Sequence, residues 1–220
     1  EQHCKKVLLA KYQLGLTQSP IINTQNLTED LNSKIANMRK TVAENAITLL
    51  AKQNDAFFPL SVSTHNKAGD VAVVAIGTSR ANEFCKQLIS DYNAGVYYFD
   101  FNKTTGDADA LFNTLKSKYK KIIVGIHNVS RYPGSNFGIS KAAAQLVNRL
   151  QNETESILFL FGNAYAAKNF CNAKNMVICY EDDAIIQNTA VEFLKGNLEY
   201  KGVLPVRVCE KFNYGFGETT

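Results

Sequence analysis

The sequence predicts an α/β fold, a three-layer α/β/α sandwich with a mainly parallel sheet, preceded by a helical N-terminal segment. Short apolar runs of strand length alternate with helical stretches from about residue 70 to residue 200. Several of these runs are apolar on both faces, and a strand buried on both faces needs helices on both sides, as in a parallel sheet. Hydrophobic residues make up 45% of the 220 residues, the proportion expected of a globular domain.

The N-terminal part is predicted to be helical. Residues 6–16 form a short helix that ends at Gly15, and residues 17–25, with Ser19 and Pro20, form a linker or an arm on another surface. A longer helix starts after Asn26 or Thr28 and ends near residue 53. Apolar residues recur along it at steps of three, four and seven, which predicts one buried face. This stripe consists of Leu31, Ile35, Met38, Val42, Ala46 and Leu49.

The remaining chain reads as alternating strands and helices. The predicted strands are 71–76, 96–101, 122–126, 157–161 and 176–180, with 203–208 as a candidate for a short last strand. The predicted helices are 82–92, 107–119, 140–151, 164–171 and 183–195. We therefore divide the chain into a helical segment at 1–55 and a sandwich domain at 56–220.

Composition and charge exclude several classes of protein. The net charge is +4, from 24 basic and 20 acidic residues that are interspersed, so we expect neither a nucleic-acid nor a membrane-surface partner. No apolar run approaches the ~18 residues of a transmembrane helix. The first residues lack both an initiator Met and the apolar region of a signal peptide, so we expect the chain to start inside a longer one. The five cysteines lack C-x-x-C spacing, which predicts free buried thiols rather than a zinc site or a disulfide framework.

Candidate binding residues follow the predicted strands, because ligands of open α/β sheets bind outside the carboxyl ends of the strands. Polar segments stand at 77–80, 127–132, 162–165 and 181–183. His127 is suited either to bind a substrate or to serve as a satisfied structural histidine, and the sequence leaves both interpretations open. The loop 131–139 is long for a strand-to-helix connection, and such loops often carry function. The candidate binding residues are His127, Asn128, Arg131, Tyr132 and Asn163.

The sequence contains no complete catalytic set. It lacks the glycine-rich nucleotide motifs, and its histidines lack metal-ligand spacing. Ser79 lies in a small-x-Ser-x-small turn typical of a nucleophile elbow, so a Ser79/His127 hydrolase is an alternative, although a helix N-cap explains the turn as well. The acidic residues 181–183 are interpreted as a helix cap, since adjacent carboxylates do not form a facing pair. We therefore predict no catalytic residue, no metal and no cofactor in this chain.

Seven short segments form an ordered series along the chain. They are 11–16 (KYQLGL), 43–50 (AENAITLL), 58–60 (FPL), 71–77 (VAVVAIG), 161–165 (FGNAY), 202–206 (GVLPV) and 214–217 (YGFG). In order and spacing this series resembles the C-terminal α/β sandwich domain of glycoside hydrolase family 3, in particular that of the bacterial β-N-acetylglucosaminidases. The resemblance extends over essentially the whole chain, with Asn45 and Ala164 where the family has Ser and Pro.

The resemblance implies that catalysis occurs elsewhere. In that family the nucleophilic Asp, and in the β-N-acetylglucosaminidases an acid–base His–Asp pair, lie on a preceding (β/α)8 barrel, and no position here matches either motif. Residues 1–55 would then be the arm that leaves the barrel, and the sandwich would brace it and line the cleft for a carbohydrate with β-linked N-acetylglucosamine. Bacterial relatives usually act outside the cytoplasm, which implies a periplasmic or surface location here. Five unpaired cysteines fit an oxidising compartment poorly, so a cytoplasmic location is the alternative. A stand-alone sugar-binding or interaction module is the alternative.

Overall fold

The computed structural model describes residues 1–18, 23–53, 55–61 and 70–219. The chain divides into two units, Glu1–Asn37 and Met38–Thr220, which are described separately. Ser19 and Pro20 of the predicted linker lie outside the described residues.

The first unit is helical, as predicted. Helix α1 spans Gln2–Gln13, and the positive φ of Gly15 (70°) follows its end, a common way for a helix to terminate. Helix α2 spans Leu27–Asn32, and α3 (Ile35–Ala46) begins in this unit and continues into the second. Every described side chain up to residue 42 is exposed, so within this chain the part of the predicted apolar stripe at Leu31, Ile35, Met38 and Val42 has no partner that buries it.

The prediction of one continuous helix that ends near residue 53 is wrong. It is divided between α2 and α3, and Thr48–Lys52 forms strand β1. This strand pairs antiparallel with a later strand of the sheet, with Thr48 opposite Ile178, and Leu49 and Leu50 are buried. Backbone pairing and burial at the sheet edge therefore override the local helical pattern. The sheet consequently includes residues of the predicted helical segment 1–55.

In the described residues the sheet has six strands, in the order β1-β6-β5-β4-β2-β3. Each pair except β1–β6 is parallel, which confirms the predicted mainly parallel α/β sheet. The strands that follow β1 are β2 (Val71–Ile76), β3 (Gly95–Phe99), β4 (Lys121–Ile126), β5 (Ser156–Leu160) and β6 (Asn175–Ile178).

Helices cover both faces of the sheet, which confirms the three-layer sandwich. Helices α4 (Glu83–Tyr92) and α7 (Ala184–Leu194) pack together on one face. Helices α5 (Thr105–Lys118) and α6 (Lys141–Glu153) pack together on the other. Short 3-10 segments stand at Gly134–Gly138 and Ala164–Phe170. Across the described parts of the chain, no helix combines the length and the apolar character needed to traverse a membrane.

The C-terminal segment 202–218, here called the C-terminal strap, replaces the predicted strand at 203–208. It folds back on itself through the hydrogen bond from the Leu204 N–H to the Phe216 carbonyl (2.8 Å), and the Glu218 N–H donates to the carbonyl of Leu49 in β1 (2.8 Å). Leu204 and Phe212 are fully buried. They belong to the same apolar cluster as Leu50, Met176 and Ile178 of β1 and β6, so the strap covers this end of the sheet.

A disulfide joins Cys171 to Cys209 and anchors the strap to the segment that follows β5. The prediction of five free thiols is therefore wrong for this pair, whereas Cys4, Cys85 and Cys179 are free. The two half-cystines are 38 residues apart, and only the tertiary fold brings them together, so no local spacing identifies them.

Candidate functional site

An open cleft of about 590 Å³ lies at the carboxyl ends of β4, β5 and β6. Three of the predicted binding residues, Asn128, Arg131 and Asn163, line it together. A hydrogen bond from the Asn163 side-chain amide to the Arg131 carbonyl (3.0 Å) links the loops after β4 and β5. The other lining residues are Val129, Gly162, Tyr180, Glu181, Asp182 and Asp183.

The other two predicted binding residues do not line the cleft. Tyr132 follows Arg131 and is 78% exposed, so it remains available to a ligand or a partner. His127 is 1% exposed and lies behind the cleft wall, with its ring stacked on Phe161 at 4.6 Å between centroids.

The hydrogen bond between His127 and Asp182 places a proton on Nδ1. Nδ1 lies 2.8 Å from an Asp182 carboxylate oxygen, which only accepts, so Nδ1 is the donor. The side-chain nitrogen of Asn82 lies 3.1 Å from Nε2 and 3.2 Å from Nδ1, so it contacts the ring without aligning with the lone pair of either nitrogen. The orientation of that amide is fixed, because its oxygen accepts from the Cys85 N–H at the start of α4. Of the two interpretations that the sequence left open, the geometry supports the satisfied structural histidine.

Asp182 accepts three hydrogen bonds, two from neighbouring residues after β4 and one from α7. One carboxylate oxygen accepts from His127 and from the Gln187 side chain (2.7 Å), and the other accepts from the Asn128 N–H (2.8 Å). Burial raises the pKa of the Asp182 carboxyl, but the donated hydrogen bonds, with that from His127 the largest, outweigh it. The pKa therefore lies below its ordinary value, and Asp182 is an anion at neutral pH.

The backbone around the cleft is strained. Seven non-glycine residues of the described ranges have positive φ, and five of them are Asn128, Ser135, Asn136, Phe137 and Tyr180. The first four belong to the loop 128–139 and the last lines the cleft. A left-handed residue other than glycine costs roughly 1 kcal/mol, so surrounding contacts must hold it, and such residues cluster at functional sites. The buried Phe137 side chain and the hydrogen bond from the Ser130 N–H to the Phe137 carbonyl (2.8 Å) hold this loop.

Asp183 acts as the helix cap that the sequence predicts. One of its oxygens accepts from the N–H groups of Ile185 and Ile186 at the start of α7 (2.8 and 3.2 Å). The other oxygen pairs with Arg39 of α3. Asp183 therefore lines the cleft, and the guanidinium of Arg39 balances the negative charge of its carboxylate.

The Ser79/His127 alternative has no support in the geometry. Ser79 is exposed, and in the described part of the chain no hydrogen bond joins it to His127, whose ring contacts Asp182 and Asn82. No three His, Cys, Asp or Glu side chains of the described residues come together as metal ligands.

Sequence reasoning missed Asn82, Asp182 and Gln187 as parts of one network. The polar strand ends were recognisable, but these residues follow β2 and β6 or lie in α7, far apart along the chain. Only the strand order, which places β2 next to β4 and β5 next to both β4 and β6, shows which strand ends meet.

Comparisons with known proteins identify the fold but no close relative. Neither the models of protein families nor the curated proteins contain a match to this sequence. Among solved structures, β-glucoside phosphorylase BglX is 17% identical with a TM-score of 0.65, over 90% of this chain and 36% of that chain. A glycoside hydrolase family 3 β-N-acetylglucosaminidase from Paenibacillus sp. is 13% identical with a TM-score of 0.59, over 87% of this chain and 34% of that chain. A β-glucosidase from Listeria innocua in complex with isofagomine is 13% identical with a TM-score of 0.65, over 96% of this chain and 38% of that chain.

These similarities concern the fold. The chain spans about a third of the length of each of these proteins, and its fold is that of one part of these longer enzymes. This agrees with the predicted likeness to a C-terminal sandwich domain of glycoside hydrolase family 3. The names of the three proteins differ in sugar and in reaction, so the specificity for N-acetylglucosamine stays a prediction.

Proposed function

We propose that this chain is the non-catalytic C-terminal sandwich domain of a retaining glycoside hydrolase that acts on β-linked N-acetylglucosamine. The observation that carries the proposal is the fold match over about nine tenths of this chain to about a third of longer glycoside-processing enzymes. In such an enzyme a carboxylate of the barrel forms the glycosyl-enzyme intermediate, which water then hydrolyses. The sandwich braces the barrel.

Exposed apolar side chains support a partner surface. In the described part of residues 1–42, eleven large apolar side chains are between 38% and 74% exposed, and amphipathic helices bury such positions when their partner is present. We propose that the barrel of the same polypeptide covers them. They are Val7, Leu8, Leu9, Tyr12, Leu14, Leu16, Leu27, Leu31, Ile35, Met38 and Val42.

The strand-end cleft supplies the proposed contact with the substrate. Arg131 and Asn163 stand on linked loops, and Tyr132 is exposed beside them. A guanidinium and an amide donate to sugar hydroxyls, and an aromatic ring packs against the apolar face of a sugar. We propose that these loops face the barrel and form one wall of the substrate cleft.

We also propose an extracytoplasmic location. The disulfide between Cys171 and Cys209 supports it, because such bonds persist in oxidising compartments and are rare in the cytosol of mesophiles.

An activity comparison tests the main proposal. This chain alone and the full polypeptide encoded by its gene are assayed on the chromogenic β-glycosides of N-acetylglucosamine and of glucose, with and without phosphate. We expect no turnover by this chain and preferential hydrolysis of the N-acetylglucosaminide by the full polypeptide. Turnover by the chain alone would refute the non-catalytic role. A preference for the glucoside, or dependence on phosphate, would refute the substrate or the reaction.

A stand-alone sugar-binding module is the second candidate, favoured by the fact that the cleft is built entirely within the sandwich. Two results together would favour it: this chain binds N-acetylglucosamine measurably, and its reading frame encodes no barrel.

A further inference from the structure

We propose that Asp182 is a positioning residue, which acts through His127 and the backbone of Asn128 to hold the loop 128–139 as the wall of the cleft. The inference deepens the proposed function, on which it rests for the role of that wall in facing a sugar. The hydrogen bonds themselves are a property of this chain alone.

Asp182, which follows β6, connects that strand end with the end of β4 and with the segment after β2. It accepts from His127 and from the Asn128 N–H after β4, and the His127 ring contacts Asn82 after β2 at 3.1 Å. Gln187 links the network to α4, because its side-chain oxygen accepts from the Glu83 N–H (3.0 Å). A carboxylate has room for about four donors, and three are in place, so no single neutral side chain of similar size reproduces this arrangement.

Asn128 is the point at which the network acts on the loop. Its φ is 55°, a conformation that asparagine tolerates better than most residues but that still needs support. Two hydrogen bonds give that support, one from its N–H to Asp182 and one from its side-chain amide to the Gly77 carbonyl (2.8 Å). Without the Asp182 acceptor, the Asn128 N–H loses its partner, and the loop is free to leave this conformation.

The chain provides a matched control for Asp182. Glu181 also lines the cleft, but its side chain is exposed and makes no hydrogen bond or ion pair within the described structure. Neutralising either residue changes the charge of the cleft by one unit. Only the change at Asp182 removes acceptors from the network.

The first test uses the unmodified chain. The protein has three histidines, His3, His65 and His127, so ¹⁵N-detected spectra of the ring nitrogens at neutral pH are assigned with His3→Gln and His65→Gln variants. We expect Nδ1 of His127 to carry a proton and the Asn128 amide to be protected from exchange. A His127 ring whose Nδ1 carries no proton, or an Asn128 amide that exchanges at the rate of an unfolded chain, overturns the proposal. This result stands even if a variant at Asp182 fails to fold.

The second test compares Asp182→Asn with Glu181→Gln. We expect exchange of the Asn128 amide to accelerate by roughly 10–100-fold in Asp182→Asn, with a changed His127 ring signal, as befits the loss of hydrogen bonds to a charged group. We expect neither change in Glu181→Gln. Equal effects in both variants, or none in either, overturn the positioning role.

N-acetylglucosamine is then the probe for the sugar contact. We expect it to shift the amide signals of Arg131 and Asn163 in the wild type and in Glu181→Gln, but much less in Asp182→Asn. If the wild type shows the network signatures without a response to this sugar, the positioning of the loop stands and the proposed sugar contact fails. If Asp182→Asn responds as the wild type does, the network does not position the wall for the sugar.

Discussion

Removal of the Cys171–Cys209 disulfide is expected to destabilise the sandwich by about 4 kcal/mol. The bond joins residues 38 apart, and the loss of loop-closure entropy in the unfolded chain gives about 4 kcal/mol for a loop of that length. For a domain of this size, 1 kcal/mol corresponds to about 2–4 °C in melting temperature, so we expect a decrease of about 8–16 °C. Leu204 and Phe212 of the strap belong to the apolar cluster of the sheet, so we expect the sheet to stay folded at room temperature after reduction.

The assay is urea unfolding followed by circular dichroism, with and without reductant. The double variant Cys171→Ser/Cys209→Ser should match the reduced wild type. Cys4→Ser is the matched control, because Cys4 is free and exposed, and its stability should equal that of the wild type.

Thiol titration checks the pairing independently. We expect three reactive thiols in the denatured, unreduced protein, those of Cys4, Cys85 and Cys179. In the native protein only Cys4 should react quickly, because burial raises the pKa of the Cys85 and Cys179 thiols. Five titrating thiols, or a change of less than about 1 kcal/mol on reduction, would refute the reasoning.

Three further predictions concern packing and charge. Gly125→Ala should cost about 1–3 kcal/mol in urea unfolding, because the added Cβ would lie 2.6 Å from His127 Nε2. Phe212→Ala should cost about 3–5 kcal/mol, whereas Tyr214→Ala, at a 77% exposed position in the same strap, should stay within about 0.5 kcal/mol of the wild type. The pKa of Asp182 in the folded protein lies below its ordinary value of 3.8. The ionised carboxylate therefore contributes fully to the free energy of unfolding above pH 3.8, and this contribution is lost as the pH falls through the folded pKa. The difference in unfolding free energy between wild type and Asp182→Asn should therefore be constant at neutral pH and shrink below about pH 4, and a constant difference down to about pH 2 would contradict it.

Local chemistry explains which elements were predictable. Asn82, Ser140 and Asp183 stand where the predicted helices begin, and in the structure each side chain accepts from a backbone N–H of the first turn. The buried strands are continuous apolar runs, which identify them without knowledge of their partners. Both signals depend on a few neighbouring residues.

The errors arise where the deciding contact is distant in sequence. Residues 48–52 form a strand because β6 offers them a backbone partner, and the pairing of Cys171 with Cys209 depends on the path of the strap. The apolar stripe with Ile35 and Met38 shows a face suited to burial, but periodicity does not say which molecule buries it. In the same way, the sequence identified the polar strand ends but not the network through Asp182.

The strand order explains why the cleft lies where it does. In a doubly wound sheet, ligands bind in the crevice where the order of strands reverses, which here is between β2 and β4. That crevice is filled, since Asn128 donates to the Gly77 carbonyl across it and a Cβ on Gly77 would lie 2.3 Å from the His127 carbonyl oxygen. The open space is displaced to the ends of β4, β5 and β6, where Arg131 and Asn163 stand on linked loops. A ligand there meets one wall rather than an enclosing crevice, and an opposing surface from a second domain would complete such a site.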